Sequence, residues 1–148
     1  MSEPRVTLGQ AVAAYGVAVL AMGVLDGVWL GWLALDFYKH ELGTLMATSV
    51  RVVPAALYYL GFPAAIVFLA LTPRPSGWAS ALVRSAVLGL AAFGVYDLTN
   101  LATLRGYSVR MAVVDMAYGA FASAVGGGLA YALVIRRRVA SAGAASTH

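Results

Sequence analysis

The chain has 148 residues, of which 61% are hydrophobic and only 11% are charged, and this composition is far too apolar for an ordinary water-soluble domain. Ten Lys and Arg residues outnumber six Asp and Glu, but they are scattered singly until the last few, so the sequence offers no patch for nucleic acid. There is no cysteine, which excludes disulfides, thiol nucleophiles, zinc–thiolate sites and iron–sulfur ligation.

Charged residues divide the chain into four long apolar stretches, at 5–36, 51–74, 84–105 and 110–136. A helix that rises about 1.5 Å per residue needs about 20 residues to cross the hydrocarbon core, and each stretch is long enough. Membrane β-strands would instead alternate apolar and polar residues. The sequence predicts an all-α integral membrane protein with four transmembrane helices in an antiparallel bundle. We expect one domain over residues 1–138 and a disordered tail over residues 139–148.

The first stretch contains a repeat of small residues around Asp26. Gly23, Gly27 and Gly31 recur at every fourth position, a spacing that lets helix backbones approach closely in membranes. We interpret the repeat as a packing face within the bundle. A homodimer face is the alternative that the spacing leaves open.

The only long connection, from Asp36 to Val53, begins with an aromatic and charged segment. We predict that this segment lies along the membrane interface between the first and second spans, with Phe37 and Tyr38 at headgroup depth. His40 has no second histidine nearby, so the sequence gives little support for a ligand or catalytic role at this position.

A proline interrupts the second span. Pro63 is expected to kink the helix and to leave the carbonyl of Tyr59 without its intrahelical donor. The phenols of Tyr58 and Tyr59 lie near mid-membrane, where at least one needs a polar partner. Two interpretations stay open: a tyrosine that satisfies the backbone, and a pocket bounded by the kink and the carboxylates of other spans.

Carboxylates inside the spans are the most informative residues, because ionisable groups in lipid are costly and usually face a bundle interior or a wet cavity. Asp26, Asp97 and Asp115 all fall about 7 to 15 Å inside the same membrane face. A short loop makes the third and fourth spans a hairpin, which brings Asp97 and Asp115 almost level. Such a pair would share a proton unless an arginine or a bound cation balances it. The alternative is a buried hydrogen-bonded network with Asn100 that holds the helices in register.

Polar and small residues continue these faces. The third span carries a polar stripe within an arc of about 120°, formed by Tyr96, Asp97, Asn100 and Thr103, which suits orienting a small polar group. On the fourth span Tyr118 lies on the same face as Asp115. Gly119, Ser123 and Gly127 recur at every fourth position, and we interpret them as a helix-packing face.

The distribution of Lys and Arg predicts the orientation. With four spans, both termini and the middle loop lie on one side of the membrane, which holds six Lys and Arg residues against four on the other. Loops rich in these residues stay in the cytoplasm. We therefore expect both termini to be cytoplasmic and the three carboxylates to lie in the outer half of the bilayer.

Motifs of the common enzyme classes are missing. The sequence contains no GxxxxGK[ST] loop, no GxGxxG fingerprint, no GxSxG elbow and no HExxH motif. Neither histidine lies in a span, so haem is unsupported, and we expect neither a metal nor a cofactor. An enzyme limited to carboxylates and tyrosines stays open, although the sequence favours a non-enzymatic role.

Four blocks of the sequence resemble the signature of one bacterial family: Leu25–Gly31, Phe37–Tyr38, the run Tyr96–Leu104 (YDLTNLATL) and Val114–Gly119. Over nearly its whole length the chain is similar to the four-helix inner-membrane family called domain of unknown function twenty-one seventy-seven. The resemblance implies four membrane helices in a bacterial inner membrane and brings no established reaction, substrate or cofactor. Where the family pattern favours tryptophan, this chain has Tyr118.

These observations lead to the hypothesis of a multi-pass membrane protein that binds or moves a small amphipathic or lipid-like ligand in a carboxylate-lined pocket. Membrane lipids and an unidentified amphipathic small molecule are the expected partners. The alternatives are a lipid-modifying enzyme with an Asp pair as acid and base, a proton-coupled small transporter, and a packing or assembly subunit. The candidate ligand or proton-site residues are Asp26, Tyr59, Asp97, Asn100, Thr103, Asp115 and Tyr118.

Overall fold

A computed structural model of the chain describes residues 5–136, which are helical almost throughout and contain no strand. Four helices are long and apolar enough to cross a membrane: Leu8–Leu33, Val52–Ala70, Trp78–Thr103 and Val109–Ile135. The prediction of an all-α protein with four spans is confirmed. The tail predicted at residues 139–148 lies outside the described residues.

Three of the four spans end in a π-helical turn. The first span is α1 (Leu8–Val28) followed by the π-turn Trp29–Leu33, and the second is α3 (Val52–Ala65) followed by Ile66–Ala70. The third is α4 (Trp78–Thr103), and the fourth is α5 (Val109–Ala130) followed by Tyr131–Ile135. Between the first two spans lie the short helix α2 (Leu35–Leu42) and the 3-10 turn Gly43–Leu45.

Side chains cap the first turns of α1 and α5, whose leading N–H groups have no partner within the helix. Thr7 and Gln10 form a reciprocal capping box: the Gln10 amide donates to the Thr7 hydroxyl at 3.3 Å, and the Thr7 amide donates to the Gln10 side chain at 3.1 Å. Ser108 caps α5 in the same way, because its hydroxyl accepts a hydrogen bond from the Met111 amide at 2.9 Å.

The last span, α5, is the most enclosed element. It packs against α4 on one side and α1 on the other. More than half of the residues in its most apolar segment are buried, against about a fifth in each of the other spans. α3 packs against α1, and its π-helical continuation packs against both α4 and α5. The outward faces of the spans are apolar, as lipid contact requires.

Small residues form a seam between α4 and α5. A methyl group added to Gly127 would collide with Ser85, and one added to Gly89 would collide with Ser123. One step further along, a methyl group on Gly119 would collide with the ring of Phe93. The contacts advance by four residues on each antiparallel helix, so the next step brings Asp97 of α4 level with Asp115 of α5.

The glycine repeat of α1 has a different environment. Gly23, Gly27 and Gly31 are exposed, and no atom lies within 4 Å of the position that a side chain would take. Within the described residues these glycines pack against no other helix. The interpretation of this repeat as a packing face inside the bundle is therefore not supported.

At the end of the bundle where α4 begins, polar side chains form hydrogen bonds to backbone carbonyls of neighbouring segments. The Arg74 guanidinium donates to the carbonyl of Ile135 at 2.8 Å, and Arg84 donates to the carbonyl of Pro73 at 2.7 Å. The indole of Trp78 donates to the carbonyl of Gly128 at 3.2 Å. The bond from Arg74 satisfies a carbonyl at the end of the fourth span, where the helix leaves it without a partner, whereas the Gly128 carbonyl also accepts from the Tyr131 amide within the span.

Candidate functional site: a carboxylate and aromatic cavity

Three aspartates from three helices lie in one layer of the bundle. Asp26 of α1 is 3% exposed, Asp97 of α4 is completely buried, and Asp115 of α5 is 8% exposed. All three lie near the end of the bundle that carries α2 and the loop from Leu104 to Ser108. Burial of three carboxylates at one depth is unusual in a membrane protein, where each costs free energy unless it is paired or solvated.

Each carboxylate accepts a hydrogen bond from a different tyrosine. Tyr118 donates to Asp26 at 2.5 Å, and Tyr107 donates to Asp97 at 2.5 Å. Tyr38 donates to Asp115. These three phenols come from α5, the α4–α5 loop and α2, so the hydrogen bonds tie all parts of this end together.

Trp29 supports two of these tyrosines. Its indole N–H donates to the Tyr38 hydroxyl at 3.2 Å, and its ring stacks on Tyr118 with centroids 4.5 Å apart and planes 5° from parallel. Trp29 opens the π-turn that follows α1, and such turns are frequent at functional sites. The indole therefore fixes the positions of the phenols that bind Asp26 and Asp115.

A polar contact at the rim places α2 over the site. The Ser108 hydroxyl donates to the carboxylate of Glu41 at 2.5 Å, and Arg110 lies 3.5 Å from the same carboxylate. The hydrogen bond from Ser108, helped by the positive charge of Arg110, lowers the pKa of Glu41 below its ordinary value. Arg110 also lies over the ring of Phe37 at 5.3 Å, so α2 is held against the start of α5.

A tight turn carries Tyr107 back into the bundle. Gly106 has a φ of 82°, a left-handed conformation that glycine adopts without steric cost. Burial, together with the hydrogen bond to a carboxylate, raises the pKa of Tyr107, and the same causes raise that of Tyr38. Both phenols are therefore neutral donors at every physiological pH.

Asp97 and Asp115 form a close carboxyl pair. They lie level with each other on the neighbouring helices α4 and α5, one step beyond the contact of Gly119 with Phe93. The second oxygen of Asp97 is buried and has no hydrogen-bond donor among the described residues.

A cavity of about 420 Å³ lies beside these carboxylates, between α3 and α4. Asp26, Asp115, Tyr38 and Tyr118 form its polar part. The remaining lining residues are apolar or aromatic and come mainly from the two flanking helices: Leu30, Tyr58, Phe62, Ala92, Phe93 and Tyr96. The site thus combines an acidic floor with aromatic walls.

The aromatic walls touch each other at one end of the cavity. Phe62 stacks on Tyr58 with centroids 5.7 Å apart, and Phe93 meets the edges of both, at 6.0 Å from Phe62 and 6.4 Å from Tyr58. These rings form the contact between α3 and α4 beside the cavity. Their side chains fill part of the space between the two helices beside the cavity.

The other predicted site residues take separate positions. Tyr59 lies near Asp26 but outside the cavity lining, and Asn100 lies near the Tyr107 hydroxyl. Thr103 is exposed on α4, where its hydroxyl donates to the Thr99 carbonyl at 2.7 Å, so it takes no part in the cluster. Within residues 5–136 no group of three His, Asp or Glu side chains is arranged to hold a metal ion.

Backbone satisfaction near Pro63 comes from another helix. The Tyr15 hydroxyl of α1 donates to the carbonyl of Leu60 at 3.0 Å, one residue beyond the carbonyl that the proline was expected to free. Among the described residues Tyr58 makes no such bond, and it lines the cavity.

Sequence reasoning missed Tyr38, Tyr107 and Trp29. Tyr38 and Tyr107 lie just outside the apolar stretches, where an aromatic residue is ordinarily an interfacial anchor. Three buried carboxylates need donors, but the spans carry tyrosines of their own near that depth, so the sequence contains no signal that Tyr38 and Tyr107 would fill this role.

The chain matches the DUF2177 family, described as predicted membrane protein, over residues 11–132. It belongs to this family. All four spans, α2 and the Tyr107 loop fall wholly or largely within the matched DUF2177 region, as do the three carboxylates and their phenols. No curated protein and no protein of solved structure matches the chain.

Proposed function

We propose that this DUF2177 protein binds a small amphipathic molecule in the cavity between α3 and α4 and holds the polar end of that molecule against Asp26 and Asp115. The observation that carries the proposal is an aromatic cavity of about 420 Å³ with two buried carboxylates on its floor. Small-molecule sites are typically concave and mostly apolar, with a few convergent polar groups that fix orientation.

The position of the cavity supports entry from the lipid. α3 packs against α1, and the helical contact with α4 is made mainly by the π-turn Ile66–Ala70, which leaves a gap beside the first part of α3. Two lining residues at this gap are well exposed on the outside of the bundle, Tyr96 at 59% and Leu30 at 40%. A molecule dissolved in the bilayer would therefore enter the cavity from the side of the bundle. Its polar end would enter first, toward the carboxylates, and its apolar end would follow.

The charge distribution supports a site in the outer half of a bacterial inner membrane. Arg5, Arg74, Arg84 and Arg136 lie at the end remote from the carboxylates, because they flank the opposite ends of the spans. The sequence adds Arg137 and Arg138 directly after Arg136, which gives six Lys and Arg residues against four, and such an excess belongs on the cytoplasmic side. The termini would then be cytoplasmic, and the cavity would open toward the outer leaflet.

Native mass spectrometry with extraction of bound molecules tests the proposal. The wild-type protein and D26N are purified in the same uncharged maltoside detergent, and their cargo is compared. Because the amide keeps the shape of Asp26 but not its charge, we expect a defined small molecule on the wild type and at least about a tenfold lower occupancy on the variant.

The matched control is D36N. Asp36 is also an aspartate beside the first span, but its side chain is 98% exposed and lies outside the cavity. This variant should carry the wild-type cargo, and both variants should remain monodisperse with the wild-type helix content. An empty wild type, or the same cargo on D26N and the wild type, would contradict binding at this cavity.

A further inference from the structure

We infer that the molecule held in this cavity is an organic cation, with an ammonium group against Asp26 and Asp115 and an apolar part between the aromatic walls. The inference rests on the proposed function and names the chemical class of its ligand. Three features carry it: carboxylates without a balancing charge, aromatic faces around them, and a gap that opens toward lipid.

No positive side chain balances the carboxylates within the described part of the chain. The ion pairs found there involve other acids: Lys39 pairs with Asp36, and His40 and Arg110 both pair with Glu41. Asp26 and Asp115 line the cavity at 3% and 8% exposure with only tyrosine hydroxyls as hydrogen-bond donors. An unpaired buried carboxylate is costly, and a bound cation offsets that cost.

The walls are of the kind that bind ammonium groups. Tyr58, Phe62, Phe93, Tyr96 and Tyr118 contribute five aromatic rings to the lining. The electron-rich face of such a ring attracts a cation, and the attraction is stronger where water is excluded. Aromatic rings around a neutral or anionic group would give no comparable gain in binding energy. The aromatic walls and the carboxylates of the floor therefore both favour a positively charged ligand.

The asymmetry of the site indicates where each part of the ligand lies. The carboxylates are deep, whereas Leu30 and Tyr96 are at the exposed gap. A cation with an apolar tail can place its charge on the floor and its tail in the gap toward lipid. The ammonium group could belong to a free amine or to a lipid headgroup, and extraction of the bound molecule distinguishes these two sources.

A pair of probes that differ only in charge tests the inference. Benzyltrimethylammonium and neopentylbenzene have the same shape, because a carbon atom replaces the nitrogen in the second. Binding to the wild type, D26N and D36N is measured by ligand-observed NMR in an uncharged maltoside detergent. Detergents and lipids with choline headgroups are excluded, since they carry the ammonium group under test.

We expect the wild type and D36N to bind the cation at least about tenfold more tightly than its neutral isostere, and D26N to lose that preference. Equal binding of both probes to the wild type would overturn the inference while leaving an apolar binding site intact. Binding of neither probe, together with a neutral or anionic extracted molecule, would also overturn the inference but would support the proposed function. An extracted amine or aminolipid would support both.

Discussion

The two halves of the bundle are held together in different ways. At the end where α4 begins, small residues let α4 and α5 touch, as in the contacts of Gly127 with Ser85 and of Gly89 with Ser123. At the other end, tyrosine hydroxyls bind buried aspartates, and a cavity of about 420 Å³ separates α3 from α4. The helices of the first half are held by close packing of small residues, and those of the second half are held by hydrogen bonds between side chains.

The difference shows how a membrane bundle can keep a cavity without losing its fold. Lipid tails are as apolar as leucine, so burial of apolar surface does not drive helix association, and close packing or hydrogen bonds must do so. The tight seam fixes the register of α4 on α5 and thereby brings Asp97 level with Asp115. The phenols then tie α1, α2 and the α4–α5 loop to the buried carboxylates at this end, and the cavity remains between α3 and α4.

The largest effect is expected from filling the seam. In G127V, the new side chain would collide with Ser85 and with Ile66, and neither helix can move without breaking the adjacent contacts. Overpacking of this kind costs about 1–3 kcal/mol of stability, occasionally more. Thermal unfolding followed by circular dichroism should show a clearly lower midpoint, and size-exclusion chromatography should show aggregation.

The control for the seam is G27V. Gly27 has the same spacing in its own repeat, but no atom lies within 4 Å of its missing side chain. The variant should keep the wild-type unfolding midpoint. A loss of dimer mass in native mass spectrometry without a change in that midpoint would show that a second copy uses this face. If G27V lowered the midpoint as much as G127V, the close packing of small residues would not be confined to the seam between α4 and α5.

A smaller effect is expected from the polar half. Y107F removes the hydrogen bond from Tyr107 to Asp97, and such bonds in membrane proteins contribute about 0.5–2 kcal/mol. D97N leaves an oxygen that can accept from Tyr107 but removes its charge, which weakens the bond. With the double variant it completes a cycle, and the two substitutions should be less than additive because both act on the same bond. Unfolding by sodium dodecyl sulfate in mixed micelles measures all three. Full additivity would mean that the two side chains do not interact.

Much of the architecture could be predicted from the sequence because lipid imposes strict rules. The four apolar stretches and the family resemblance led to the number of spans, and both are confirmed. The positions of Asp97 and Asp115 on a short hairpin indicated that they lie level. These inferences depend on span length and helical geometry, which a single sequence carries.

The partners of the carboxylates could not be predicted in the same way. Tyr38 reaches Asp115 only because α2 folds back against the start of α5, and Tyr107 reaches Asp97 only because Gly106 turns the loop inward. Spacing also failed to separate the two glycine repeats, since the same interval is buried on α5 and exposed on α1. Side-chain direction at a turn, and the choice of helix face, depend on tertiary packing that local periodicity does not encode.

The smallest effect is expected at the rim, where Glu41 holds α2 over the cavity. The hydrogen bond from Ser108 lowers the pKa of Glu41, so its contribution to stability is present above the ordinary pKa of a glutamate, about 4.3, and is lost as the pH falls through the lower folded value. E41Q removes this titration. The unfolding midpoint is compared at pH 6 and pH 3, which lie about 1 to 2 units on either side of that pKa. Between these two values the midpoint of the wild type should fall more than that of E41Q.

D36N is again the matched control, because Asp36 lies on the same short helix but is exposed and makes only a 3.8 Å contact with Lys39. Exposed pairs of this kind contribute little to stability, so D36N should follow the wild-type pH profile. If E41Q followed it as well, the bond from Ser108 would not hold α2 in place. Tyr38 would then be held by Trp29 and Asp115 without help from the rim, and the polar half would be less firmly linked than the seam at every pH.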